Sequence, residues 1–125
     1  MVLYYSRINC TMTTFCDLFY NNPNKKDLDV VLDHEKGVES WNNGMYIFYY
    51  KSKGSMLVSP RDQYTVNRTY YNEITKYQRE YIDAGKSKEF SFGPPIPGIV
   101  RSWVYISGTY VLENRSPEGI WCDVY

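Results

Sequence analysis

Arg68 is the residue whose setting most demands a chemical explanation. It lies within Met56 to Tyr71, which reads as one long strand with Pro60 near its start, a mark of an edge or a bulge. Alternate residues of a strand face opposite sides, so Gln63, Thr65, Asn67 and Thr69 share a polar face. Tyr64, Val66, Arg68 and Tyr70 share the other, which is the expected inward face. A guanidinium there must find a carboxylate, reach water, lie over a tyrosine ring or face a polar cavity, because an unpaired buried charge is strongly disfavoured. Arg101 poses the same question beside Ile99, Trp103 and Tyr105, with Val100, Val104 and Ile106 opposite; either face can be inward. Two arginines on strand faces of one sheet can hold an anion, such as a lipid phosphate, in an otherwise apolar pocket. Tyr64 and Trp103 are the aromatic members of that candidate ligand site.

Catalytic chemistry finds less support. His34 is the single histidine, and a lone histidine on a strand is more often structural than a general base. A nucleophilic pair would need Cys10, Cys16 or Cys122 brought beside it. No C-x-x-C spacing points to zinc or redox work, and reduced thiols are expected. Glycine-rich phosphate loops, paired metal ligands and a nucleophile elbow are all missing from the sequence, so neither a metal nor a cofactor is expected. In Lys25-Lys26-Asp27-Leu28-Asp29 opposite charges stand four apart, which by pattern alone is a solvated helical pair worth a few tenths of a kcal/mol.

The elements that must position these residues follow from periodicity. The 125 residues fit one domain spanning 1–125. Lys+Arg and Asp+Glu number 14 each, and that balance argues against bulk electrostatic capture of nucleic acid. Fourteen tyrosines, five phenylalanines and three tryptophans favour strands and surfaces apolar along the ring and wet at the hydroxyl. No apolar run approaches the ~20 residues of a membrane-spanning helix. Val2 to Ile8 reads as a short strand. Met12, Phe15, Cys16 and Phe19 then recur at helical spacing, predicting a helix from Thr11 to about Asn21 that packs Met12, Phe15 and Phe19 on a sheet, with Thr11 as its cap. Lys25 to Leu28 reads as a second helical turn. Strands follow at Val30 to Glu39 and Met45 to Tyr50, bounded by Asn42-Asn43-Gly44 and Lys53-Gly54-Ser55. Lys76 to Phe90 fits a helix or a strand broken at Gly85. Gly93 to Gly98 is a loop, Ile99 to Leu112 a hairpin around Ser107-Gly108, and Ile120 to Tyr125 a last strand. An early helix and then successive strands imply an antiparallel α+β domain.

Three segments, in order, resemble the START (steroidogenic acute regulatory protein-related lipid transfer) family. Leu57-Val58-Ser59-Pro60-Arg61-Asp62-Gln63-Tyr64 is similar to that family's Ser-Pro-Arg-Asp and following aromatic, leading into a strand that carries Arg68. Pro94-Pro95, then Gly98-Ile99-Val100-Arg101 and Gly108, form the second segment. Cys10-Thr11, opening a helix that ends in Leu18-Phe19-Tyr20 and is followed by Lys25 to Asp29, form the third. The likeness runs over nearly the whole chain, and within the family the pattern is nearest the phosphatidylcholine-transferring branch.

The resemblance implies a helix-grip fold: a curved antiparallel sheet packed on a helix around an apolar cavity that takes one lipid, without catalysis. Lys25 and Asp29 match that branch's phosphate-contacting basic residue and its partner aspartate, although lysine there loses arginine's bidentate geometry. Arg68 and Arg101 match cavity or sheet arginines, and tyrosines are numerous enough to surround a choline ammonium. Leu28 departs from the family's tryptophan. No acidic residue lies between Met45 and Val58, where sterol-type members place one, so a phospholipid is favoured over a sterol. The resemblance also implies a chain shortened at both ends, lacking the C-terminal lid helix. It further implies a cytoplasmic location with transient contact at membrane surfaces, and self-association through an uncovered edge or groove. Two other function classes fit less well: a helix-grip enzyme of cyclase or hydrolase type, which needs an ionisable cluster inside the cavity, and a non-binding interaction module with its cavity filled by tyrosines.

Overall fold

A computed structural model describes residues 3–20, 32–87 and 93–125, apart from the side chains of His34 and Lys36. The expected helical turn at Lys25 to Leu28 lies outside these residues. In chain order the elements are β1 (Ser6–Ile8), α1 (Met12–Phe19), β2 (Leu32–Ser40), β3 (Met45–Ser52), β4 (Arg61–Thr75), β5 (Gln78–Lys86), β6 (Val100–Arg101), β7 (Ser107–Ser116) and β8 (Gly119–Val124). Strand order in the sheet is β1-β8-β7-β5-β4-β3-β2, with β6 beside β4. The described pairings are antiparallel except the short β4–β6 bridge, which is parallel.

The chain divides into two compact units. The first comprises the described parts of Met1–Pro23 together with Thr69–Asp83 and Gly108–Tyr125. Its helix begins where expected: the Thr11 side chain accepts from the Thr14 N–H at 3.1 Å, satisfying one of the orphan donors of the first turn. Met12 and Phe15 are buried with Val111 and Cys122, so the helix places one apolar face on β7 and β8. Phe19 departs from the expectation. It stacks on Phe15 with ring centroids 4.5 Å apart but stays half exposed, while its neighbours Cys16 and Tyr20 pack against the core. Strand β1 is tied to β8 by Asp123, which accepts from Tyr5 Oη at 2.8 Å and from both Arg7 Nε at 2.7 Å and Arg7 Nη2 at 3.2 Å. All three cysteines are free thiols; burial beside the Cys10 carbonyl pushes the Cys122 thiol up to about 12.

The second unit comprises the described parts of Asn24–Arg68 together with those of Ala84–Ser107. Strands β2 and β3 form a hairpin through Asn43-Gly44, where Gly44 takes φ +79° and the Asn43 side chain accepts from the Met45 N–H at 3.1 Å. A left-handed residue followed by this side-chain bond is what an Asn-Gly turn supplies. The register then fixes the face: Met45 lies opposite Arg68, Ile47 opposite Val66 and Tyr49 opposite Tyr64. Ile47 and Tyr49 are buried, so this is the inward face of the hairpin.

Three expected boundaries move. The long strand starts at Arg61 rather than Met56 and continues to Thr75, leaving Met56 and Leu57 almost wholly exposed. Gln78–Lys86 is a strand that runs through Gly85 instead of breaking there. No hairpin surrounds Ser107-Gly108. Residues Ser102 to Ile106 are irregular, and the hairpin sits between β7 and β8, with Ser116 opposite Gly119.

Candidate functional site

The second unit carries a cavity on the inward face of β4. Gly85 shows which residues face it. A Cβ at Gly85 would come within 2.5 Å of the Asn67 side chain, so Gly85 and Asn67 share one face. Strand alternation then puts Ala84 and Lys86 on the face of Val66 and Arg68. A cavity of about 370 Å³ is lined by Met45, Val66, Arg68, Ala84 and Lys86, with Asn67, Gly85 and Ile106 completing the wall. Ile106 arrives from the irregular segment, which Ser87 holds in place. The Ser87 hydroxyl donates to the Tyr64 carbonyl at 2.9 Å and accepts from the Val104 N–H at 2.9 Å.

Arg68 and Lys86 are both exposed, so the cavity opens to water beside two cations. Among the described residues, neither has a carboxylate partner. Of the outcomes open to an arginine on that face, Arg68 meets access to water. It follows buried Asp62 and half-buried Tyr64 and Val66 on one face of β4, and is itself exposed to water.

Arg101 has a different fate. Strand β6 pairs with β4 so that Arg101 lies beside Asp62. Its Nε donates to Asp62 Oδ1 at 2.7 Å and its Nη2 to Oδ2 at 3.1 Å, a bidentate fork. Its remaining donors reach the carbonyls of Gly93 at 3.3 Å and Pro94 at 3.2 Å, and its guanidinium carbon lies 5.0 Å from the centre of the Tyr64 ring. Asp62 is 2% exposed and also accepts from Tyr49 Oη at 3.1 Å. Burial alone would raise the Asp62 carboxyl, but the bonds from Arg101 and Tyr49 together hold it below the usual carboxylate range. Burial and the same bond to Asp62 push the Tyr49 phenol up to about 12. The anion beside Arg101 is thus the chain's own aspartate.

These positions separate the residues that sequence reading had grouped. Arg101 faces residue 62 and Arg68 lies six residues further along β4, roughly 20 Å at the usual strand rise. The two arginines do not converge on one anion. Tyr64 belongs to the Asp62–Arg101 cluster, packed against Tyr49 with centroids 4.7 Å apart. Trp103 is half exposed and is not part of the cavity wall. Lys25 and Asp29 lie outside the described residues. Sequence reading missed Lys86, whose signal was the alternation Ala84, Lys86, obscured by reading Gly85 as a break. It also missed Asp62 as a partner, although the Ser-Pro-Arg-Asp motif contains it.

The first unit has a smaller cavity of about 230 Å³ lined by Met12, Thr13, Cys16, Asp17, Tyr71, Arg79 and Tyr81. Its charges are of both signs, and Arg79 is already 3.4 Å from Glu73. Among the described residues no cluster of His, Cys, Asp and Glu could hold a metal ion, and no helix is long and apolar enough to cross a membrane.

No family model matches the chain, and no curated protein is similar enough to count as a relative. Solved structures do match. Human STARD10 superposes with a TM-score of 0.75 at 15% identity, over 96% of this chain and 48% of that one. Human StAR-related lipid transfer protein 5 superposes with a TM-score of 0.72 at 15% identity, over 96% of this chain and 56% of that one. The chain spans about half the length of these proteins, and over that span its fold is the START fold.

Proposed function

We propose that this chain binds a single lipid and does not transform it, with a phosphate-bearing lipid favoured over a sterol. The observation that carries this reading is the cavity of about 370 Å³, walled by Met45, Val66, Ala84 and Ile106 and bordered by the cation of Arg68. An apolar pocket with few convergent polar groups is the usual form of a small-molecule site, burying the ligand's apolar part and orienting its head. The likeness in fold to a protein named for lipid transfer supports the reading. In it the cavity takes the lipid tail, and Lys25 and Asp29 add contacts to the head. Arg101 and Tyr64 act by fixing the start of β4 rather than by touching lipid.

Native mass spectrometry of the purified chain after incubation with a mixture of one-tailed and two-tailed phospholipids and cholesterol tests this. The expected result is one lipid per chain, with phospholipid adducts exceeding sterol adducts. A chain that stays free of lipid and turns over a test ester would replace the binding reading with the enzymatic one.

A further inference from the structure

Resting on the lipid-binding reading, the geometry points to a narrower ligand class: we infer that the cavity takes a single-tailed amphiphile with an anionic head, a carboxylate or a phosphate monoester, gripped by Arg68 and Lys86. Three observations converge. The first is size. About 370 Å³ is near the lower end of the ~300–1,000 Å³ usual for small-ligand sites. A cavity of that size encloses less than the apolar surface of two acyl chains on a glycerol backbone, which favours a single tail.

The second is charge. Arg68 and Lys86 stand on neighbouring strands at one cavity, on the same sheet face, without a carboxylate partner among the described residues. Two like charges placed together are mutually unfavourable unless an anion joins them, and a guanidinium fork beside an ammonium suits the oxygens of a carboxylate or phosphate. The contrast with Arg101 is direct, since that guanidinium is saturated by Asp62 and two carbonyls.

The third is what the wall omits. Among the described residues that form it there is neither a carboxylate nor an aromatic ring. A choline or other ammonium head would therefore find no counter-charge and no ring face, the two features that hold such cations. The tail lies against Met45, Val66, Ala84 and Ile106, and the head sits in water beside the two cations.

Isothermal titration with monomeric oleate, oleoyl lysophosphatidic acid, oleoyl lysophosphatidylcholine and dioleoyl phosphatidylcholine tests the inference. Oleate or lysophosphatidic acid is expected to bind at least about tenfold more tightly than lysophosphatidylcholine, as a lost charge-assisted contact implies. The stronger of the two identifies the head as carboxylate or phosphate. The variant carrying Arg68→Gln and Lys86→Gln is expected to lose that preference, and because both side chains are exposed it keeps the wild-type urea midpoint. Salt should weaken the wild-type binding and leave the variant unaffected. Equal affinity for lysophosphatidylcholine, tighter binding of the two-tailed lipid, or an unchanged preference in the variant would overturn the inference and leave lipid binding standing. Absence of binding by all four would remove both.

Discussion

The amide of Met12 donates to Glu113 Oε2 at 2.6 Å, so a carboxylate 101 residues away in sequence fastens the first turn of α1. The N–H groups of a first turn have no partner within the helix, and their dipoles favour a negative charge. Glu113 supplies that charge while 1% exposed, and its other oxygen accepts from Arg115 Nε at 2.6 Å. Glu113→Gln keeps the shape and removes the charge. It is expected to destabilise the chain by roughly 1.5–3 kcal/mol, the usual worth of a hydrogen bond to a charged group, read as a lower urea midpoint with unchanged slope.

Acid should unfold the chain in a defined window. Bonds from Arg101 and Tyr49 to Asp62, and from Arg115 and Met12 to Glu113, outweigh burial and lower both carboxyls; the Arg7 bond, against burial, lowers that of Asp123. A carboxyl lowered in the folded state takes up its proton more readily in the unfolded chain. Its contribution is therefore complete above the ordinary values of 3.8 for aspartate and 4.5 for glutamate, and is lost as pH falls through the folded values. Urea midpoints should not vary with pH on account of these groups between 7 and about 5, and should drop steeply below about 4. Asp123→Asn should make that drop shallower.

Breaking the Asp62–Arg101 pair should hurt more than removing it. The side chains are 1% and 24% exposed, so Arg101→Met strands a buried carboxylate, which typically costs about 3–5 kcal/mol. The double variant with Asp62→Asn removes the stranded charge and should recover part of that loss. A double-mutant cycle on thermal or urea unfolding measures the recovery, and strict additivity would mean that the pair is not coupled.

Phe15 and Phe19 should separate by burial. Phe15 is 3% exposed and Phe19 is 49% exposed although their rings stack. Phe15→Ala is expected to cost about 3–5 kcal/mol and Phe19→Ala distinctly less. Equal losses would show that the stacked pair, rather than the burial of one ring, carries the energy.

Local signals in the sequence were legible to the extent that they were local. Thr11 as a cap, Asn43-Gly44 as a turn and the Gly93 to Gly98 loop each depend on residues within a few positions. Period-two alternation likewise gave the shared face of Tyr64, Val66 and Arg68, and the register with Met45 and Ile47 agrees with it. What could not be read locally was partnership. Asp62 and Arg101 are 39 residues apart, and β6 has only two residues, too short for any periodicity. The same limit hid Lys86. Gly85 looks like a break until Asn67 is seen lying against it, where a side chain would collide.

The pairing of β1 with β8 sets the order in which the first unit can be assembled. Ile8 lies opposite Cys122, and the helix core of Met12 and Phe15 is closed by Val111 and that same Cys122. A nascent chain leaves the ribosome from its N-terminal end, at roughly 5–20 residues each second. Helix α1 must therefore wait for β8, and loop closure over such a separation makes the step slow. During that interval Met12, Phe15 and their neighbours have no core to enter, whereas the Asn43-Gly44 hairpin, with contacts close in sequence, can already form. Synthesis thus imposes a vulnerable period on the first unit, ending only when residues 119–124 emerge.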